Sequence, residues 1–244
     1  MSIFRFKRFS VSNELSSMKV NTDGVLLGAV ATITKADRAI LDVGTGTGAI
    51  ALMLAQRYDD KFSLSGKQLI GIDIDTLAAK EANANFEASI WAENIIAVEA
   101  SLQAFSANDR QLSTKKFDLI VSNPPFFENS LKTPDLRRTQ ARHSDSLSYR
   151  DLLEFAHSNM SQIGRLSIIL PYEQENDLLR YARMCGLFPF RILHIRTTPR
   201  KPVSRLIAEF SFERNATVEG ELTIHNENGE YSSDYQNLTS PFYL

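Results

Sequence analysis

From residue 39 onward, short β-branched apolar runs alternate with longer stretches whose apolar positions recur every three to four residues. Strand-like runs fall at Ala39–Val43, Gln68–Ile72, Ile95–Glu99, Phe117–Ser122 and Leu166–Leu170, and helical spacing fills Gly48–Gln56, Thr76–Glu87, Tyr149–Met160 and Glu173–Met184. Parallel strands need a crossover between them, and each helical stretch supplies one, so the pattern predicts an α/β fold with a doubly wound, mostly parallel sheet. Two further β-rich runs, Arg191–Arg196 and Leu206–Phe212, have no comparable helix between them. They are expected to pair antiparallel as an edge hairpin, completing seven strands. The fold class is Rossmann-like.

Before the first core strand, residues 1–37 form a candidate capping segment in which Phe4–Phe9 alternates aromatic and basic residues with the period of a strand. The apolar stretch Val25–Ile33 reads as a buried helix, far short of the roughly 20 residues that cross a bilayer. Near the other end, Glu221–His225 and Glu230–Tyr235 flank Asn226-Glu227-Asn228-Gly229, a hairpin-turn signal, so a C-terminal hairpin is expected over 221–235. With 244 residues, 43% of them hydrophobic, one substantial core is affordable, and 1–244 reads as a single domain. The start MSIFRFKRFS lacks the apolar core of a secretory signal, which places the protein in the cytoplasm, with no membrane partner.

Cys185 is the single cysteine, which excludes an internal disulfide or a thiolate metal cluster. His143, His157, His194 and His225 are far apart, none at the helical spacing of paired ligands, so no metal is expected. A net charge of -2 argues against indiscriminate coating of nucleic acid. Charge is nevertheless uneven. Arg180, Arg183, Arg191, Arg196, Arg200, Lys201 and Arg205 lie in a stretch, Leu178–Ala208, with no acidic residue, and Lys132, Arg137, Arg138, Arg142 and Arg150 outweigh Asp135 and Asp145. Such segments suit phosphates. Arg137, Arg138, Arg142 and Arg200 are the candidate RNA contacts.

The strand Ala39–Val43 runs directly into Gly44-Thr45-Gly46-Thr47-Gly48 and a helix, placing a glycine turn at a strand's carboxyl end, where open α/β sheets bind ligands. Glycine admits positive φ and removes the Cβ that keeps a ligand from the backbone, while the helix N-terminus favours an anionic group. The second strand ends at Asp73, placed to accept hydrogen bonds from both hydroxyls of an adenosine ribose. Asp75 reads as the cap of the next helix. Asp42, just before the glycine turn, is placed to order the opposite end of that ligand. The turn alone also fits a dinucleotide fingerprint, Gly44-x-Gly46-x-x-Ala49.

Phe117–Ser122 delivers Asn123-Pro124-Pro125-Phe126 to the same edge. Each proline disfavours the helical conformation in the residue before it, giving a stiff extended turn that fixes two acceptors, the Asn123 side-chain oxygen and the Pro124 carbonyl. A conjugated exocyclic amino group is a poor nucleophile because its lone pair is delocalised. Two acceptors gripping its hydrogens turn that lone pair towards a methyl donor, so catalysis comes from placement and electrostatics. Phe126 is placed to stack on a planar substrate.

DVGTGTG, GIDID and SNPPF resemble the class I S-adenosylmethionine-dependent amino methyltransferases of the Asn-Pro-Pro-aromatic type. The run Lys19–Gly28, Ala141-Arg142-His143 and the closing Phe242-Tyr243-Leu244 are similar to the bacterial family that methylates adenine N6 at position 37 of valine tRNA. The resemblance spans essentially the whole chain. It implies S-adenosylmethionine as cofactor, tRNA as partner, a monomer, and a role for Thr22 and Asp23 in closing the cofactor pocket. The residues alone also permit Asp23 as a helix cap. One departure stands out: Ser101 occupies the place after the third strand where this class often carries an acid on the cofactor's adenine. A serine hydroxyl retains one acceptor for that amino group. The motif leaves protein-glutamine and guanine-N2 methylation open as alternatives. From other classes come a NAD-binding oxidoreductase, which leaves Asn-Pro-Pro-Phe unexplained, and a non-catalytic RNA-binding module.

Overall fold

The computed structural model describes residues 2–108, 116–125 and 147–243. A two-stranded antiparallel sheet, β1 (Ile3–Arg5) and β2 (Ser10–Ser12), precedes helix α1 (Thr22–Val30). The βα alternation then runs β3 (Ala39–Val43), α2 (Ala49–Phe62), β4 (Gln68–Asp73), α3 (Thr76–Glu87), β5 (Ile95–Glu99), α4 (Leu102–Asn108) and β6 (Phe117–Ser122). It continues with α5 (Tyr149–Asn159), β7 (Met160–Pro171), a 3-10 turn at Tyr172–Gln174, α6 (Glu175–Met184), β8 (Phe188–Arg196), β9 (Val203–Ser211), β10 (Val218–Thr223) and α7 (Ser233–Thr239). The large sheet has the order β10-β8-β9-β7-β6-β3-β4-β5, antiparallel only where β9 meets β7 and β8.

Strand periodicity divides the core in two. Ile40, Leu69, Leu119, Ile169 and Ile207 pack on one face with α1, α2 and Phe86 of α3. Their neighbours Leu41, Ile70, Ile120, Ile168 and Leu206 pack on the other with α5 and α6. Local chemistry sets the helix starts: Asn21 caps α1 by accepting from Gly24 N, Asp75 caps α3 by accepting from Leu77 N, and Ser148 with Asp151 forms a capping box on α5.

The doubly wound sheet and its antiparallel pair match the sequence expectation, but among the described residues the sheet has eight strands rather than seven. The eighth, β10, pairs in parallel with β8 at the outer edge and buries only Leu222, so its hydrophobic pattern carried no strand signal. Only its last residues, Glu221–Thr223, come from the first arm of the expected C-terminal hairpin. The Asn226–Gly229 turn does form, with Asn226 N donating to Glu230 O (2.8 Å) and Gly229 at φ +84°, yet only His225 and Tyr231 bridge across it. Beyond that bridge Ser232 caps α7. The Phe4–Phe9 run is likewise two pieces: the chain turns at Phe6, whose N–H donates to Phe9 O (2.9 Å), and the two rings stack 4.4 Å apart. That turn docks on the C-terminus, with Lys7 N donating to Phe242 O (2.8 Å) and Phe242 only 1% exposed. Among the described residues no helix is long and apolar enough to cross a membrane, and no group of three or more potential metal ligands converges.

Candidate active site

The carboxyl ends of β3, β4, β5 and β6 open onto one cavity of about 590 Å³, within the range that holds a cofactor-sized ligand. Its floor is the glycine turn, tied to β4 by Gly44 N and Thr45 N, which both donate to Ile72 O (2.8 and 2.9 Å). Gly44 has φ +71°, and a Cβ built on it meets only Leu147, at 3.8 Å, so backbone there is open to the cavity. Gly46 also lines it. Gly48 does not: at φ +81° it sits where a Cβ would lie 2.4 Å from the buried ring of Phe86. Its absent side chain serves helix packing rather than approach of a ligand.

Asp73 lines the cavity from the end of β4. One carboxylate oxygen accepts from Gly46 N and the other from Asp75 N, both at 2.9 Å, which aims the group and leaves each oxygen further acceptor capacity. Burial raises its pKa, against the pull of those two hydrogen bonds. Asp42 behaves differently. It is 1% exposed, stands behind the cavity wall rather than in it, and accepts from the Thr45 hydroxyl at 2.7 Å. Desolvation, opposed by the Thr45 hydroxyl and reinforced by the charge of Asp73, pushes its carboxyl up to about 7. Its visible task is to shape the glycine turn.

Ser101 lines the cavity after β5, where its hydroxyl accepts from Ala104 N (3.1 Å) at the start of α4. One lone pair is thus engaged in holding the helix, and a second with the hydroxyl proton remains. Asn123 follows β6, whose end is fastened by the Ser122 hydroxyl donating to Val43 O at 2.8 Å. The Asn123 side chain is 5% exposed and lines the cavity; its Nδ2 points to Met18 Sδ at 3.9 Å, and its Oδ1 has no hydrogen-bond partner among the described residues. An unsatisfied buried carbonyl costs about 1–3 kcal/mol, a burden that makes sense where a ligand's N–H will arrive. Pro124 is buried beside it and Pro125 lines the cavity. Phe126, Arg137, Arg138 and Arg142 lie outside the described residues.

Thr22 and Asp23 are not brought to the cavity. Thr22 is exposed at the start of α1, and Asp23 accepts from Arg205 Nε at 3.0 Å. The cap of that helix is Asn21, not Asp23. Arg200 lies in the turn between β8 and β9, at the same sheet edge as the cavity, with an 83% exposed side chain and Glu227 3.8 Å away. Four cations of the surrounding basic run are paired with acids that flank it or come from other elements: Arg180 with Asp177, Arg191 with Glu209, Arg196 with Glu221 and Arg205 with Asp23. Sequence reasoning also missed Ser16, Ser17 and Met18, which line the cavity from the N-terminal segment. The available signal was indirect: Glu81 and Asn85 are buried polar residues on the apolar face of α3, and both hold that segment.

The cavity fits an adenosine-containing methyl donor: open glycine backbone, a strand-end carboxylate with free acceptor sites, and an orphaned amide oxygen opposite. The methyltransferase small domain family model matches residues 16–171. A tRNA1(Val) (adenine(37)-N6)-methyltransferase of Parabacteroides distasonis is 42% identical over 242 residues, covering 99% of this chain and 97% of its own. The protein of that name from Christiangramia forsetii is 36% identical over 241 residues, with the same coverage. Among solved structures, a predicted O-methyltransferase from Agrobacterium tumefaciens superposes with a TM-score of 0.64 at 18% identity, covering 90% of this chain and 96% of that one, a likeness of fold. By family model and by full-length relatives alike, the chain belongs to the methyltransferase small domain family and, within it, groups with the tRNA1(Val) (adenine(37)-N6)-methyltransferases.

Proposed function

We propose that this protein transfers a methyl group from S-adenosylmethionine to the exocyclic N6 of an adenine in tRNA, adenine 37 of a valine tRNA, acting as a monomer in the cytoplasm. The observation that carries the reading is the buried Oδ1 of Asn123, without a hydrogen-bond partner among the described residues, at the wall of a cavity floored by the glycine turn. The names of the full-length relatives supply the nucleotide and the RNA. When bound, S-adenosylmethionine supplies an electrophilic methyl group on a positively charged sulfur.

The chain's own residues then have distinct tasks. Gly44 and Gly46 let the backbone approach the ligand, and Asp73 accepts from the ribose hydroxyls. Ser101 offers its remaining lone pair to the adenine of the cofactor. Asn123 Oδ1 and the Pro124 carbonyl accept the two N–H hydrogens of the substrate amino group, turning its lone pair towards the methyl. Phe126 stacks on the base, which must be extruded or already unpaired. As nitrogen gains the methyl it becomes positive, its acidity rises, and one proton leaves to water. Asn123 and Pro124 favour that developing charge, so no general base is required. Arg137, Arg138, Arg142 and Arg200 are assigned to tRNA phosphates.

The test is incubation with methyl-labelled S-adenosylmethionine and total tRNA from a strain lacking its own adenine-N6 tRNA enzyme, followed by digestion to nucleosides. Label in N6-methyladenosine is expected. Label in N2-methylguanosine, or only in protein glutamine, overturns the proposed substrate.

A further inference from the structure

Three successive backbone N–H groups, of Glu14 (2.7 Å), Leu15 (3.0 Å) and Ser16 (2.8 Å), donate to the carboxylate of Glu81, and the Ser12 hydroxyl adds a fourth bond at 3.1 Å. Glu81 is on α3 and only 2% exposed. Burial opposes its ionisation, yet these donors hold its carboxyl below the ordinary glutamate range. Four residues further along the same helix, Asn85 Oδ1 accepts from Ser12 N (2.7 Å), and its Nδ2 donates to Thr47 O (2.9 Å) and Ser12 O (3.1 Å). One helix face therefore ties the N-terminal segment to the glycine turn.

The segment is also closed on itself. The Ser16 hydroxyl donates to Met18 O (3.0 Å), and Val20 N donates to Asn13 Oδ1 (3.0 Å). Held this way, Ser16 to Met18 form one wall of the cavity, and Met18 Sδ meets the amide nitrogen of Asn123. That contact matters for chemistry because an amide turned end for end presents N–H instead of an acceptor to the substrate.

We propose that Glu81, assisted by Asn85, is a positioning residue for the methyl donor: it holds residues 12–18 as a wall of the cofactor cavity. The inference rests on the methyltransferase reading. Glu81 touches neither substrate nor cofactor; it acts through the strap. An apolar side chain in its place would fill the space but orphan three backbone donors, so the strap would lose its single seating.

The test uses Glu81→Gln in the full chain. This change preserves shape but replaces one acceptor oxygen with an NH2 group, which cannot accept from the strap. Three quantities are read: affinity for S-adenosylhomocysteine by calorimetry, KM and kcat with S-adenosylmethionine varied, and amide hydrogen exchange at Glu14–Ser16. Expected are about tenfold weaker binding, corresponding to about 1.4 kcal/mol, a similar rise in KM, kcat within about threefold of the parent, and faster exchange at the three amides. A purely structural role lowers the thermal midpoint and the active fraction, hence kcat, at unchanged KM and affinity; that result overturns the inference. Should Glu81→Gln fail to fold, Ser12→Ala removes a single donor: a rise in both KM and exchange at Glu14–Ser16 supports the inference, and an unchanged value of either counts against it. A parent protein that binds no S-adenosylhomocysteine overturns the methyltransferase reading together with this inference. A binding parent with an unaffected Glu81→Gln overturns the inference alone.

Discussion

At the scale of single residues, the proposed reaction assigns chemistry to Asn123 and cofactor binding to Asp73. Removing the amide of Asn123 takes away an interaction that strengthens as charge develops on nitrogen, so Asn123→Ala is expected to lower kcat about 100- to 1,000-fold with little change in cofactor affinity. Asp73→Ala removes hydrogen bonds made by a charged group, about 1.5–3 kcal/mol each, and is expected to raise KM for S-adenosylmethionine while sparing kcat at saturation. Steady-state kinetics with the cofactor varied separates the two. Both residues were legible in sequence because the signal is local: each ends a strand, and the prolines after Asn123 or the glycine turn before Asp73 complete it. Asp23 was not legible. Its partner Arg205 is 182 positions away, and no local pattern announces that pair.

Asp42 gives a second prediction at this scale. Its carboxyl is raised to about 7 in the folded chain, above its ordinary 3.8, so the folded state holds a proton that the unfolded state has lost between those values. Stability contributed by that protonated form is complete at low pH and is lost as pH rises through the folded pKa. Asp42→Asn keeps an acceptor for the Thr45 hydroxyl and removes the titration. The variant is therefore expected to match the cofactor-free parent near pH 4 and to become more stable above pH 7, by up to about 4 kcal/mol. Thermal midpoints of both proteins across that range are the check; parallel curves would remove Asp42 as the titrating group.

Among elements, the glycine turn and α3 act as a unit, and two neighbouring glycines distinguish their contributions. Gly48→Ala would drive a Cβ into the ring of Phe86, itself only 1% exposed and so without room to withdraw. Overpacking of this kind costs about 1–3 kcal/mol, added to about 1–2 kcal/mol for a left-handed non-glycine residue. Gly44→Ala carries the backbone strain alone. Differential unfolding should therefore place Gly48→Ala well below Gly44→Ala in stability, whereas cofactor affinity should suffer at Gly44, whose missing side chain faces the cavity. The sequence made both glycines look alike, as parts of one cofactor motif. Only the packing of α3 against the turn separates them. β10 escaped the sequence reading because it buries a single leucine, and two expected elements run longer than their apolar pattern marked: α2 continues to Phe62 and β7 begins at Met160.

Over the whole molecule, charge is distributed by folding rather than by sequence. The basic stretch Leu178–Ala208 contains seven cations and no acid, but α1, α6, β9 and β10 supply Asp23, Asp177, Glu209 and Glu221 to four of them. The run looked more cationic than the surface it builds because its bounds stop one residue short of Asp177 and Glu209, while Asp23 and Glu221 come from α1 and β10. Arg200 differs from those four: its side chain is 83% exposed, and Glu227, which stands 3.8 Å away, is itself 63% exposed. Such a loose surface pair is worth little, about 0–1 kcal/mol, and yields readily to a phosphate. The β8–β9 turn also lies at the sheet edge that opens onto the cavity, so an RNA presenting a base there has backbone within that region. Arg200→Ala is accordingly expected to reduce the slope of log affinity for valine tRNA against log salt by about 1, whereas Arg196→Ala, already neutralised by Glu221, should leave that slope nearly unchanged. Equal slopes for the parent and Arg200→Ala, measured by filter binding across a salt series, would take Arg200 out of the tRNA contact surface and leave the cavity's chemistry untouched.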